Sequence, residues 1–170
     1  EANHANNSGG RSIWYRWSAP YSGPVTISLL GSSFDTLVAV YTGTTLANLG
    51  STLVAQNDDF ETGLLQSQTT FNVTAGVTYR IAVDGYNGGE ADSGTAMLHI
   101  NPARNDAFAN ALNIGGTNGT LMGYTRPATI EAGEPAHAGN PGGHSVWFRW
   151  VAPQSGQVTF DTAGSRFDTL

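Results

Sequence analysis

The sequence predicts an all-β fold: an antiparallel two-sheet β-sandwich, jelly-roll-like, in tandem copies, with a short helix opening the second copy. Three observations predict it. Short segments of alternating apolar and polar residues recur along the chain, separated by turn clusters such as PYSG, LGSS, NDDFETG and GYNGGEADSG. Glycine supplies 22 of 170 residues, about twice its usual share, so turns are frequent. A 34-residue segment recurs at a constant offset of 133.

The strands follow in order. The Trp14–Arg16–Trp17 segment alternates, so Trp14 and Arg16 share one face and Trp17 takes the other. One tryptophan is expected in the core, with the arginine stacked over the other ring or paired with an acid. Val25–Leu30, Thr36–Tyr41, Thr52–Gln56, Thr69–Val73 and Thr95–Ile100 are short and rich in β-branched residues. Val77–Asp84 places Val77, Tyr79, Ile81 and Val83 on one face, and Thr78, Arg80, Ala82 and Asp84 opposite. These are seven strands within the first hundred or so residues, as a sandwich requires. Asn105–Asn113 reads differently: Asp106 is a candidate N-cap, and Phe108, Ala111 and Leu112 fall at helical spacing. Gly115–Gly123 and Ala128–Ile130 read as hairpin-like material. Ser145–Val151 alternates again, with Val146, Phe148 and Trp150 on one face and Ser145, Trp147 and Arg149 on the other.

The repeat sets the domain organisation. Residues 4–37 and 137–170 share 21 of 34 positions without a gap. Residues 1–102 are therefore expected to be one repeat lacking its N-terminal strands, and residues 103–170 the N-terminal half of the next. The whole reads as a window from a longer array.

Charge and composition exclude several functions. Thirteen acidic residues against seven basic ones, all arginine, give a net charge of −6, which disfavours nucleic acid and anionic lipid as partners. No apolar run is long enough to span a membrane. Cysteine is absent, so neither disulfides nor thiolate chemistry operate. No GxSxG elbow, HExxH helix or phosphate-cradling loop occurs, and no enzymatic activity is expected. The acids do gather in loops. Asp35, Asp58, Asp59, Asp84, Asn105 and Asp106 form a candidate Ca²⁺ ligand set, because Ca²⁺ takes six to eight oxygens. The alternative is that these residues make turns and caps. Trp14, Arg16, Trp147 and Arg149 are a candidate sugar-binding platform.

WYRWSAP, SGPVTISLLGSSFDTLVAVYTG, LVAQNDD and VTYRIAVDGYNGG resemble, in that order, the bacterial pre-peptidase C-terminal domain and its relatives. The resemblance covers Ile13–Ile100 and, in the second copy, Asn105–Leu170. It implies a secreted or cell-surface β-sandwich with an accessory, noncatalytic role. It also implies Ca²⁺ in some members, near the segment that matches Ala103–Asp106, and collagen or polysaccharide as ligands of others.

The expected function is a structural or adhesive repeat of a large extracellular bacterial protein, forming a filament or surface layer. Its partners would be neighbouring repeats or copies of itself, with a neighbouring chain donating its Asn105–Pro135 segment to the first repeat. The alternative is an accessory module that holds a secreted peptidase or other hydrolase on polysaccharide or an extracellular-matrix protein such as collagen.

Overall fold

A computed structural model describes residues 3–170. The chain divides into two compact units, Glu1–Pro102 and Ala103–Leu170. Nearly all of its regular structure is β, and the sheets of the first unit are antiparallel.

Among the described residues seven strands build the first unit: β1 (Ile13–Ser18), β2 (Gly23–Ser28), β3 (Thr36–Tyr41), β4 (Leu53–Asn57), β5 (Gln68–Val73), β6 (Thr78–Gly85) and β7 (His99–Pro102). One sheet has the order β1-β6-β3-β4, the other β5-β2-β7. Both contribute to one apolar cluster: Val25 and Ile27 from β2, Val38 and Val40 from β3, and Tyr79, Ile81 and Val83 from β6. The opposite faces of β3 and β6 bury Ala39, Tyr41 and Ala82 with Leu49, which follows a 3₁₀ turn at Leu46–Asn48. The β6 alternation thus has the phase expected from the sequence. Strand β3 is buried on both faces, which explains its unbroken apolar run Leu37–Tyr41.

Strand β2 starts and ends two residues earlier than expected, and the last strand of this unit differs most. Residues 95–98 stay off the ladder, and β7 begins at His99. Their donors and acceptors are taken by a loop instead. Ser33 N–H donates to the Thr95 carbonyl, Thr95 N–H to Ser33 Oγ, and Met97 N–H to Ser32 Oγ.

The second unit departs further. Its regular elements are a 3₁₀ turn at Phe108–Asn110 and the short strands β8 (Leu112–Ile114) and β9 (Phe148–Trp150). The expected helix is this single turn. Ala107, not Asp106, holds the N-cap position, and no side chain caps it. Asp106 is engaged elsewhere: Thr129 donates to it from both its N–H and its hydroxyl. Strands β8 and β9 pair in parallel, not antiparallel, which the long connection between them permits. Ala128–Ile130 forms no hairpin; it is held by a turn from Thr125 and by side-chain bonds from His144 and Ser145. Among the described residues, no helix is long and apolar enough to cross a membrane.

Candidate functional site

Pairing of β3 with β4 creates the one described cluster of carboxylates. The two strands are antiparallel, with Val38 opposite Asn57, so the residue before β3 meets the residues after β4. Asp35, Asp58 and Asp59 converge there, each with a carboxylate oxygen within 4.8 Å of the others. Asp35 and Asp58 each carry one buried oxygen, Oδ1 in both, that accepts no hydrogen bond. The backbone around them is fixed: Asp35 N–H donates to Asp92 Oδ2, and Tyr86 N–H donates to the Asp35 carbonyl.

Crowding shows in the acidities. Burial, then the Asp59, Asp58 and Asp92 carboxylates, push Asp35 up to about 6. Burial and Asp59 likewise raise Asp58. A hard divalent cation is one species that relieves such repulsion, and these three carboxylates are the residues that could hold one.

The other candidate ligands have different employment. Asp84, buried at the end of β6, accepts hydrogen bonds from the N–H groups of Gly10, Arg11 and Gly85. Three amides satisfy its oxygens and fix the chain entering β1. Asn105 is buried in the second unit and clamps one residue: its Nδ2 donates to the Trp147 carbonyl at 2.9 Å, while Trp147 N–H donates to the Asn105 carbonyl at 2.8 Å. Asp106 serves Thr129, as above. The sequence grouped six residues; the fold brings three together and uses three as backbone anchors.

The tryptophans separate by role. Trp17 packs against the core with its ring 6.0 Å from that of Tyr79. Trp14 lies on the opposite face, between His4 and Tyr41, at centroid distances of 5.5 and 5.8 Å. It lines an open groove of ≈ 380 Å³ with Arg16, Arg80, Thr44 and Leu46. Arg16 departs from expectation: among the described residues it pairs with no acid and stacks on no ring. It faces Arg80 directly across the β1–β6 ladder. Arg149, its equivalent, donates from Nε to Asn113 Oδ1, an amide and not an acid.

His4 packs edge-on against Trp14 on this face. It is 1% exposed, and its Nδ1 shares a 2.9 Å hydrogen bond with the Tyr41 hydroxyl. The repeat carried the signal, since His137 stands at the equivalent position. His137 meets Trp147 at 5.5 Å and 71°, against 5.5 Å and 74° for His4 and Trp14. The turn between is also the same. His4 and Asn7 exchange two backbone hydrogen bonds, as do His137 and Asn140. Asn7 Oδ1 accepts from Gly9 N–H, and Asn140 Oδ1 from Gly142 N–H, both at 2.9 Å.

No family model, curated protein or solved structure matches this chain.

Proposed function

We propose that the chain is a noncatalytic structural and adhesive module, a two-sheet sandwich of jelly-roll type used serially in a large extracellular protein. One observation carries the reading: the His–Trp contact and its turn recur with the same geometry at a spacing of 133 residues. Recurrence of sequence and local structure together is what serial use leaves behind. The shared core beneath the two sheets supports the sandwich, and the resemblance to pre-peptidase C-terminal domains supports its extracellular setting. Ca²⁺ bound by Asp35, Asp58 and Asp59 would brace the β3 and β4 ends.

The test is a concatemer of residues 4–136, three copies in tandem. Its units would cover one another, so its Tm should exceed that of the 170-residue chain. A Tm equal or lower refutes serial use. The groove beside Trp14 favours a second reading, an accessory module that holds polysaccharide or collagen. That reading requires Trp14→Ala to abolish retention on the immobilised polymer while leaving the unfolding transition in place; retention unchanged by the substitution would discard it.

A further inference from the structure

The two copies of the tryptophan strand are covered differently. In the second unit β9 has a parallel neighbour, with Leu112 opposite Phe148, Asn113 opposite Arg149 and Ile114 opposite Trp150. The neighbour's segment meets every residue of the WFRW run. Asn105 clamps the Trp147 backbone, and Phe108 meets the Trp147 ring edge-on at 4.9 Å and 88°. Asn113 Oδ1 accepts from Arg149 Nε at 2.9 Å, and the Gly116 carbonyl accepts the Trp150 indole N–H at 3.0 Å.

Subtracting 133 turns Trp147, Phe148, Arg149 and Trp150 into Trp14, Tyr15, Arg16 and Trp17 of β1. Strand β1 ends its sheet: β6 lies on one side, and no strand lies on the other among the described residues. Its side chains are open, with Ile13 47%, Trp14 36% and Tyr15 39% exposed. Neither the Arg16 guanidinium nor the Trp17 indole N–H has a hydrogen-bond partner among the described residues. These are the groups whose equivalents in β9 are satisfied by Asn113 and Gly116.

We infer that a second copy of this chain lays its Asn105–Gly116 segment along the open side of β1, in the register that β8 keeps with β9. Leu112 then lies beside Tyr15, Asn113 beside Arg16 and Ile114 beside Trp17, while Phe108 covers Trp14. This is strand addition to an exposed edge, guided by a template within the same molecule. The donor gives up a three-residue ladder for a place on a six-residue strand. Donor segment and acceptor edge are different surfaces, so the contact is heterologous and propagates into open chains. The inference rests on the serial-module reading and adds its partner.

The absence of native cysteine allows a direct test. Chains carrying Tyr15→Cys are mixed with chains carrying Leu112→Cys and oxidised, with Tyr15→Cys plus Glu131→Cys as the off-register control. An inter-chain disulfide in the first mixture, at least tenfold over the control, is expected. The unsubstituted chain should gain mass with concentration in light scattering, and a peptide of residues 103–116 should reverse the gain. Hydrogen exchange should then slow across Ile13–Ser18. Equal cross-linking in both mixtures overturns the register. A mass fixed at 17.8 kDa over the same range overturns exchange between copies, as does a chain carrying both Tyr15→Cys and Leu112→Cys that closes its disulfide within itself. A fixed monomer alongside a stabilised concatemer removes the exchange and leaves the serial module standing.

Discussion

Residues 18–37 and 151–170 share 12 of 20 positions and end in different structures. In the first copy, Val25 and Ile27 are fully buried on β2, between β5 and β7. Their equivalents Val158 and Phe160 are 50% and 66% exposed and belong to no strand. Yet the turn that follows is the same in both. Ser32 N–H donates to the Leu29 carbonyl at 3.0 Å, and Ser165 N–H to the Thr162 carbonyl at 3.1 Å. Gly31 and Gly164 take φ of 96° and 91°. Ser28 Oγ and Asp161 Oδ1 accept the same N–H two residues on. A turn is closed by bonds within a few residues, so its sequence suffices. A strand is closed by its neighbours, and the described residues hold one set of β5 and β7, which serves β2.

The largest expected effect follows from that difference. Ile27→Ala removes a side chain with no exposure and should destabilise the first unit by about 2–5 kcal/mol. Phe160→Ala removes a larger ring that touches Trp150 edge-on at 5.7 Å but is mostly wet, and should cost less than about 1 kcal/mol. Urea titrations followed by far-ultraviolet circular dichroism compare them. Equal costs would mean that residues 151–170 are packed after all, and the contrast between the copies would be lost.

The same contrast explains what the sequence made legible. In the first unit β6 followed from alternation and β3 from a short run rich in β-branched residues, and both have partners that realise the pattern. The Ser145–Val151 alternation is equally clean, but only Phe148–Trp150 is laddered, since β8 offers three residues to pair with. The acid cluster was half legible. Asp35, Asp58 and Asp59 were all noted in loops, but antiparallel β3–β4 register, which no local pattern encodes, decides that they meet. Asp84 was grouped with them on residue type. Its role depends on Gly10 and Arg11, more than seventy positions away, turning their amides toward it.

A smaller effect tests whether the shared turn is equally embedded in both copies. Gly9 and Gly142 both have positive φ, 51° and 64°, so alanine strains the backbone at each, by about 1–2 kcal/mol. Their surroundings differ. A Cβ on Gly9 would overlap the Asp84 carboxylate, whereas one on Gly142 meets only Leu170 Cδ1 at 3.9 Å. Gly9→Ala must also displace the anion that holds Gly10 and Arg11, and should cost at least about 1 kcal/mol more than Gly142→Ala. Matching losses in thermal melts would show that Asp84 yields freely, and its anchoring role would fall.

The smallest effect is electrostatic, and the two units should respond with opposite sign. Asp35, raised to about 6, and Asp58, also raised, bind protons more tightly folded than unfolded. Folding therefore takes up protons between about pH 4 and 6, and this contribution to stability falls as pH rises through that window. Glu134 behaves inversely. Hydrogen bonds from the Ser145 hydroxyl, from His137 and from the Glu131 N–H hold it below the usual carboxylate range. Its contribution is present above the unfolded acidity and is lost as pH falls through the lowered one. In chelator, acidification from neutral to about pH 5 should raise the Tm of the first unit by a few degrees and leave that of the second unchanged or lower. Ca²⁺ would reverse the first trend, because the cation competes with protons for the same oxygens and binds better as pH rises. Asp58→Asn should flatten both the acid response and the Ca²⁺ response of the first unit. If Ca²⁺ leaves its Tm unmoved at neutral pH, the carboxylates are held apart by protons and solvent alone, and the cation drops out of the β3–β4 junction.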